Sequence, residues 1–160
     1  MNPYRILFIC TGNICRSPTA EAYMRYKIVE EGLQNHIETD SAGIHGYHVG
    51  DMPDSRSIDV LKSRGIDMSD LSARKISASD YNEFDLILGM DEGHYSDISN
   101  MCIKGCRADI GLFLDYAPDS SIRSVPDPYY GGSKGFVQVL DLIYQGTEGL
   151  FASVKSKLQL

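Results

Sequence analysis

Short apolar runs alternate with stretches of helical periodicity along this chain of 160 residues. This alternation is typical of an α/β domain with a parallel sheet, because each strand needs a crossover segment before the next parallel strand begins. No linker or internal repeat divides the chain, so residues 1–160 are predicted to form a single domain. The predicted strands are residues 4–9, 37–42, 85–90 and 110–114.

Helical segments lie between and after these strands. Ser17 is predicted to cap the first helix, Pro18 suits its first turn, and Gly32 follows its end. The last helix is expected to be interrupted near Gly146 and Gly149. The predicted helices are residues 18–31, 55–64 and 133–158, with a short one from Asp91.

The loop between the first strand and the first helix has the sequence Cys-Thr-Gly-Asn-Ile-Cys-Arg-Ser over residues 10–17. A strand that turns directly into a helix N-terminus makes an anion site, because free backbone N–H groups and the positive end of the helix dipole meet there. The same field stabilises a thiolate at Cys10. Arg16 adds a planar guanidinium that can hold two phosphate oxygens. The loop therefore predicts phosphoryl transfer through a cysteine.

Backbone N–H groups of this loop are predicted to bind the remaining phosphate oxygens. Gly12 and Asn13 fit that task, since a loop with inward N–H groups needs left-handed backbone turns, which these residues adopt at least cost. The residues predicted to form the phosphate-binding loop with Cys10 and Arg16 are Thr11, Gly12, Asn13, Ile14, Cys15 and Ser17.

Cleavage of a phosphate ester also needs a proton for the leaving oxygen, and Asp127 is the candidate general acid. Pro128 restricts Asp127 to an extended conformation, so that the carboxyl group can project from a loop. Once ionised, the same group could activate the water that cleaves a phosphocysteine. Tyr129 and Tyr130 could form a wall against an aromatic leaving group. Asp-Pro pairs also cap ordinary turns, but the two tyrosines favour the catalytic interpretation.

These motifs resemble those of the low-molecular-weight protein tyrosine phosphatases. The shared segments are CTGNICRSP at 10–18, TDSAG at 39–43, Met90-Asp91-Glu92 and DPYY at 127–130, in matching order and spacing. The resemblance covers essentially the whole chain and implies a four-stranded parallel twisted sheet with helices on both faces. It makes Cys10 the nucleophile, Arg16 the phosphate clamp and Asp127 the general acid.

The same resemblance implies roles for the residues around the nucleophile. Ser17 would stabilise the Cys10 thiolate with its hydroxyl group, and Asn13 and Ser41 would hold the loop through hydrogen bonds. Cys15 would form a reversible disulfide with Cys10. From the residues alone, a Cys15 thiol that only packs behind the loop is equally consistent.

The chain departs from the family pattern at three positions. Tyr47 stands where the rim of the site often has Trp, and it is predicted to contact the substrate together with Tyr129 and Tyr130. Leu71 stands where many animal members have His. Thr11 replaces the Leu or Val that often follows the nucleophile.

The spacing of cysteines and histidines predicts neither a metal site nor another cofactor. Cys102 and Cys106 lack the C-x2-C spacing usual for zinc and are expected to be ordinary thiols. All four cysteines are expected to be reduced, since no secretory signal is visible. The four histidines match no ligand or triad spacing and are expected at the surface. They are His36, His45, His48 and His94, with His45 and His48 near the cleft beside Tyr47.

The formal net charge of −7, from 15 basic and 22 acidic residues, disfavours nucleic acid or an anionic membrane as a partner. No apolar stretch approaches the roughly 18 residues of a membrane span, and no signal peptide is visible, so a cytoplasmic location is expected. The expected partner is a tyrosine-phosphorylated protein, and the expected assembly is a monomer or weak dimer.

The predicted function is hydrolysis of phosphotyrosine and small aryl phosphates through a phosphocysteine intermediate. A protein-arginine phosphatase typically has Thr where this chain has Ile14, a branched apolar residue that would crowd a guanidinium. A thioredoxin-coupled arsenate reductase fits the position of Cys102 and Cys106 but would not need the Asp127 loop. A non-enzymatic phosphopeptide-binding module would need neither a thiolate nor an acid.

Overall fold

The computed structural model describes residues 2–102, 105–118, 121–129 and 132–160. In chain order its elements are β1 (Tyr4–Cys10), α1 (Arg16–Glu30), β2 (Ile37–Gly43), α2 (Ser55–Lys62), α3 (Asp80–Glu83), β3 (Leu86–Gly89), α4 (Glu92–Met101), β4 (Asp109–Leu112) and α5 (Gly132–Leu158). A 3-10 turn over Phe113–Tyr116 follows β4. The predicted strands and long helices are all present. The four-residue helix α3 was not predicted, because so short a segment shows no helical periodicity.

The four strands form one parallel sheet in the order β2-β1-β3-β4. β2 pairs with one side of β1 and β3 pairs with the other side, so the strand order reverses between β1 and β3. A crevice forms at such a reversal, beyond the carboxyl ends of the two strands. The Cys10 loop leaves β1 at this point, and Met90 and Asp91 follow β3 there. The predicted four-stranded parallel α/β fold is confirmed.

The central strand β1 is buried on both faces, and its alternate side chains belong to different cores. Ile6 and Phe8 pack with residues of α1 and α5. Leu7 and Ile9 pack on the opposite face with residues of α3 and α4. All four side chains have 0% of their surface exposed. Helices therefore cover both faces, as predicted, and the strand that carries Cys10 has no freedom to move.

The helix α5 runs without a break through Gly146 and Gly149, so the predicted interruption is wrong. The two glycines instead let the 3-10 turn lie directly against the helix. A Cβ atom at Gly149 would lie 1.7 Å from the carbonyl oxygen of Tyr116, and one at Gly146 would lie 2.4 Å from Cε2 of Phe113. Close packing, against the backbone of the turn at Gly149 and against the Phe113 ring at Gly146, explains these residues rather than helix termination.

Cys102 and Cys106 form a disulfide, so the expectation that all four cysteines are free thiols is wrong. Gly105, next to Cys106, has the left-handed conformation at φ 92°. The two Cα atoms lie 6.2 Å apart, within the range over which a disulfide forms. Cys10 and Cys15 are free and buried.

Candidate active site

The candidate nucleophile Cys10 ends β1 and has only 3% of its surface exposed. Its Sγ lies 2.9 Å from Ser17 Oγ. Ser17 Oγ also accepts a hydrogen bond from Asn13 Nδ2 at 2.9 Å, and the Ala42 carbonyl, a second acceptor for its proton among the described residues, is 3.5 Å away. The single proton of Ser17 is therefore best placed to point at the sulfur. A hydroxyl group that donates to sulfur binds a thiolate more strongly than a thiol.

Asn13 connects the loop to two neighbouring segments. Its backbone is left-handed, with φ 61°, as predicted, whereas the left-handed conformation predicted for Gly12 is wrong. Its Nδ2 donates to Ser41 Oγ on β2 at 2.8 Å, and its Oδ1 accepts from the Arg74 backbone N–H at 3.0 Å. Asn13 is 2% exposed, and both ends of its amide are satisfied. The fold thus holds this loop in one conformation before any substrate binds.

The backbone N–H groups of residues 11–17 donate no hydrogen bond to any other group in the described part of the chain. Helix α1 begins at Arg16, earlier than predicted, and its N-cap residue is Cys15, which makes no side-chain capping bond. The prediction that Ser17 caps the helix is wrong because the Ser17 hydroxyl binds Cys10 instead. The free N–H groups at this helix N-terminus leave a site for an anion.

The Arg16 guanidinium is buried, and three of its five N–H groups are occupied. Nη1 donates to Asp91 Oδ2 and to the Val125 carbonyl, both at 2.9 Å, and Nη2 donates to Thr11 Oγ1 at 3.3 Å. The two remaining N–H groups, on Nε and Nη2, lie along one edge of the planar guanidinium. That edge is a fork suited to two oxygens of a phosphate group.

Asp127, the candidate general acid, has a side chain that is 43% exposed, and its Oδ2 lies 3.7 Å from Arg16 Nη2. Its Oδ1 accepts from the Tyr129 backbone N–H at 3.0 Å. The carboxyl group therefore caps a turn and also faces the phosphate clamp. The Val125 N–H donates to the Met90 carbonyl at 2.9 Å, so the start of the Asp127 loop is fixed to the end of β3.

A cleft of about 220 Å³ brings these groups together. It is lined by six residues of the loop and by Tyr47, His48, Asp127 and Tyr129. Tyr47 is 83% exposed and Tyr129 is 38% exposed, so both are available to contact a bound substrate. The His48 ring lies so close to Gly12 that a Cβ atom there would be 2.9 Å from His48 Cδ2. Tyr130, which was also predicted to contact the substrate, lies outside the described residues.

Asp91, from which a short helix was predicted to begin, is the N-cap of α4, since its Oδ1 accepts from the His94 backbone N–H at 2.7 Å. Its other oxygen binds Arg16, a contact that the sequence analysis missed. A signal for this contact was present, because Asp91 follows β3 at the sheet edge where ligands bind.

Two buried ionisable residues of the site were not predicted. His94, expected at the surface, is 4% exposed, and its Nε2 lies 2.9 Å from Thr11 Oγ1. Glu21 is 6% exposed, and its Oε1 accepts a 2.6 Å hydrogen bond from Ser41 Oγ. Helical periodicity could have placed Glu21 on the buried face of α1, four residues after Ser17. No comparable signal exists for His94, because its partner is 83 residues away in the sequence.

Glu21→Gln should make the stability of the protein less dependent on pH. Burial raises the Glu21 pKa from 4.5 to about 7, so the folded protein binds this proton more tightly than the unfolded chain does. The stabilisation of the folded protein by this proton is complete below pH 4.5 and is lost as the pH rises through about 7. At about 1.4 kcal/mol per pKa unit, the loss is on the order of 3 kcal/mol. Glutamine keeps an oxygen for Ser41 but cannot ionise, so this loss should disappear.

Urea unfolding at a series of pH values between about 5 and 8 measures this effect as the free energy of unfolding. Glu83→Gln is the matched control, because Glu83 is an exposed glutamate on α3. Wild type and Glu83→Gln should lose stability in parallel as the pH rises, while Glu21→Gln should lose less. A Glu21→Gln curve parallel to that of wild type would contradict the prediction.

The ranges that the structure describes hold no group of three or more His, Cys, Asp or Glu side chains placed to bind a metal ion. Within those same ranges, no helix is both long and apolar enough to cross a membrane.

Comparison with known proteins agrees with this fold and site. The model of the low molecular weight phosphotyrosine protein phosphatase family matches residues 5–160. A low molecular weight phosphotyrosine protein phosphatase of Schizosaccharomyces pombe is 44% identical over 86% of this chain and 90% of its own length. The low molecular weight protein-tyrosine-phosphatase YfkJ of Bacillus subtilis is 41% identical over 97% of this chain and 98% of its own. The crystal structure of a protein tyrosine phosphatase from Entamoeba histolytica has a TM-score of 0.91 at 38% identity, covering 96% of this chain and 98% of that one.

Fold and site together define a cysteine-dependent hydrolase of phosphate monoesters. With the family model and these relatives, the chain belongs to the low molecular weight phosphotyrosine protein phosphatase family. The predicted family and the predicted phosphotyrosine phosphatase activity are confirmed, and the substrates of such an enzyme are phosphoproteins.

Proposed function

We propose that phosphotyrosine hydrolysis proceeds through a phosphocysteine intermediate, with Cys10, Arg16 and Asp127 as the catalytic residues. The Cys10 thiolate attacks phosphorus, so that an S–P bond forms while the bond from phosphorus to the aryl oxygen breaks. Protonated Asp127 gives its proton to the leaving oxygen. The free edge of Arg16 and the free loop N–H groups hold the equatorial phosphate oxygens throughout.

In the second step the Asp127 carboxylate accepts a proton from water, which attacks phosphorus and releases phosphate and the Cys10 thiolate. Ser17 stabilises that thiolate through its hydroxyl group, and Asn13 and Ser41 keep the loop in place through the hydrogen bonds described above. The residues whose backbone N–H groups bind phosphate are Thr11, Gly12, Asn13, Ile14, Cys15 and Ser17. Tyr47, Tyr129 and Tyr130 contact the substrate at the rim of the cleft.

This proposal rests on one observation: a single cleft holds the Cys10 thiol, the free edge of the Arg16 guanidinium and the Asp127 carboxyl group. The test is a turnover assay with p-nitrophenyl phosphate, a phosphotyrosine peptide, a phosphoarginine peptide and arsenate. The phosphotyrosine peptide should give the highest kcat/KM. Faster hydrolysis of the phosphoarginine peptide, or thioredoxin-dependent reduction of arsenate, would contradict the proposed function.

We also propose that Cys15 protects the nucleophile from irreversible oxidation. Burial, with a smaller contribution from Asp54, raises the Cys15 pKa to about 12, so Cys15 stays a thiol that peroxide attacks slowly. Peroxide would oxidise the Cys10 thiolate to a sulfenic acid. The Cys15 thiol would then displace hydroxide from that sulfur, forming a Cys10–Cys15 disulfide and water.

Mild peroxide should therefore inactivate the enzyme reversibly. Each enzyme is treated with peroxide and then with a thiol reductant, and recovery is expressed as a fraction of its own starting activity. Wild type should recover, and Cys15→Ser should not, because its sulfenic acid oxidises further. Mass spectrometry of oxidised wild type should show a loss of two hydrogens on the peptide carrying both cysteines. Equal recovery of the two enzymes would mean that Cys15 is only a packing residue.

We further propose that residues 1–160 act as one catalytic domain in the cytoplasm, as a monomer or weak dimer. The free thiols Cys10 and Cys15 support this location, since a thiolate nucleophile remains active only where it stays reduced, whereas the Cys102–Cys106 disulfide is of a kind uncommon in that compartment. In the described part of the chain, exposed large apolar side chains are spread over α1, α4, α5 and the loops rather than gathered on one element, which supports a monomer or at most a weak dimer. Cell fractionation and sedimentation velocity test these two points.

A further inference from the structure

The Arg16 guanidinium belongs to a ring of contacts between four side chains, the other three being those of Asp91, His94 and Thr11. Arg16 donates through Nη1 to Asp91 Oδ2 at 2.9 Å and through Nη2 to Thr11 Oγ1 at 3.3 Å. Thr11 Oγ1 lies 2.9 Å from His94 Nε2. His94 Nδ1 lies 3.1 Å from Asp91 Oδ1, which closes the ring. The reaction steps above use Arg16 but give no role to the Thr11 and His94 side chains.

One arrangement of protons suits every member of this ring. Arg16 can only donate, so Thr11 Oγ1 accepts from Nη2 and turns its own O–H toward His94 Nε2. Nε2 must then accept, which places the imidazole proton on Nδ1, facing the Asp91 carboxylate. That contact does not have the geometry of a regular hydrogen bond, so the Nδ1–H dipole faces the negative charge of Asp91 without one. The opposite tautomer would set a nitrogen lone pair against the carboxylate oxygen.

The ring requires a neutral His94, and its surroundings keep it neutral. The His94 side chain is 6% exposed and lies at the start of α4, next to the Arg16 cation. Burial, and then the charge of Arg16, lower the His94 pKa to about 4 against the opposing effect of Asp91. A neutral imidazole can accept from Thr11, whereas an imidazolium could not.

We propose that Thr11 and His94 are positioning residues that orient the Arg16 guanidinium for phosphate. Asp91 and the Val125 carbonyl both bind Nη1, so on their own they hold the group at a single nitrogen. The Thr11 hydroxyl, directed by His94, adds a contact at Nη2 and fixes the plane of the guanidinium. The free edge formed by Nε and Nη2 is then oriented toward the phosphate site before phosphate binds. The guanidinium does not have to reorient during the reaction, which lowers the free-energy cost of reaching the transition state. This inference rests on the proposed role of Arg16 as the phosphate clamp.

Thr11→Val tests the inference because it removes the hydroxyl group at nearly constant volume. We expect kcat/KM for p-nitrophenyl phosphate to fall by about tenfold, with about tenfold weaker inhibition by inorganic phosphate. His94→Leu should have the same effect. The double variant should also lose only about tenfold, whereas independent residues would multiply to about 100-fold.

Two conservative variants and one control separate positioning from a general loss of structure. Thr11→Ser keeps the hydroxyl group, and His94→Gln places an amide oxygen near the position of Nε2, so both should recover to within about threefold of wild type. The shape of the pH–rate profile should stay the same in every variant, because none of these changes removes the nucleophile or the general acid. His36→Leu is the matched control, because His36 is exposed.

The inference would be overturned if Thr11→Val kept the turnover and the phosphate affinity of wild type. It would also be overturned if the losses in the two single variants multiplied fully in the double variant. If circular dichroism shows that His94→Leu does not fold, the comparison of Thr11→Val with Thr11→Ser decides alone. Arg16→Ala tests the clamp itself. Undiminished phosphate affinity in Arg16→Ala would overturn the proposed function rather than the role of Thr11 and His94.

Discussion

Cys10→Ser should lower kcat by roughly 10⁴–10⁶-fold while leaving an oxyanion site that still binds phosphate or vanadate. A serine hydroxyl at this position is not ionised near neutral pH, so no nucleophile remains to form the intermediate. The free N–H groups of residues 11–17 and the guanidinium of Arg16 are unaffected by the change. This one variant should therefore lose turnover while it keeps anion binding.

Turnover of p-nitrophenyl phosphate and isothermal titration with vanadate measure the two effects. The double variant Cys102→Ser with Cys106→Ser is the matched control, because it removes two sulfur atoms remote in sequence from the nucleophile and should retain turnover. A Cys10→Ser enzyme with a sizeable fraction of wild-type kcat would exclude a phosphocysteine intermediate. Loss of vanadate binding together with kcat would instead mean that the sulfur, and not the loop backbone, holds the anion.

Asp127→Asn should slow the hydrolysis of aryl phosphates by about 10²–10⁴-fold. Asparagine preserves the contact to the Tyr129 N–H but has no proton to give to the leaving oxygen. The loss should therefore be large for phenyl phosphate, whose leaving group needs a proton. It should shrink for esters of very acidic phenols, whose leaving groups depart as anions.

A series of aryl phosphates with leaving groups of graded acidity, assayed at several pH values, tests this role. In wild type the rate should fall at high pH as Asp127 loses its proton, and the variant should lack that fall. Asp59→Asn removes the same charge from an exposed position on α2 and should leave the rates unchanged. An equal loss for every leaving group would show that Asp127 is not the general acid.

The fold was predictable because its signals are local. The buried strand β1 and the amphipathic helix α1 follow from the spacing of apolar residues, and the loop between them follows from residue types at fixed positions. The start of α1 was misplaced because the Ser-Pro pair suggested a cap at Ser17, whereas the Ser17 hydroxyl is engaged by Cys10. Gly146 and Gly149 were misinterpreted because the 3-10 turn that packs against them is distant in the sequence.

The site was predictable only as far as its chemistry is encoded in short motifs. Cys10, Arg16 and Asp127 belong to such motifs, and the structure brings all three to one cleft. Ser17, Asn13 and Ser41, which hold the loop, were expected only through the family resemblance.

The supporting roles of Asp91, Glu21 and His94 were missed, because they depend on contacts between different elements. His94 was expected at the surface, since nothing in the sequence around it shows that Thr11 would lie 2.9 Å from its ring.

Val125 has consequences for how enzymes of this kind diverge. It is fully buried, its N–H binds the Met90 carbonyl, and its own carbonyl binds Arg16. The loop that carries Tyr129 therefore starts from a point that is anchored to both the sheet and the phosphate clamp. Mutations beyond Asp127 can reshape the surface offered to different phosphoproteins without moving the groups that break the phosphate bond. Substrate choice and bond cleavage can thus evolve separately, and duplicated copies of such a gene can acquire new targets while keeping an intact reaction centre.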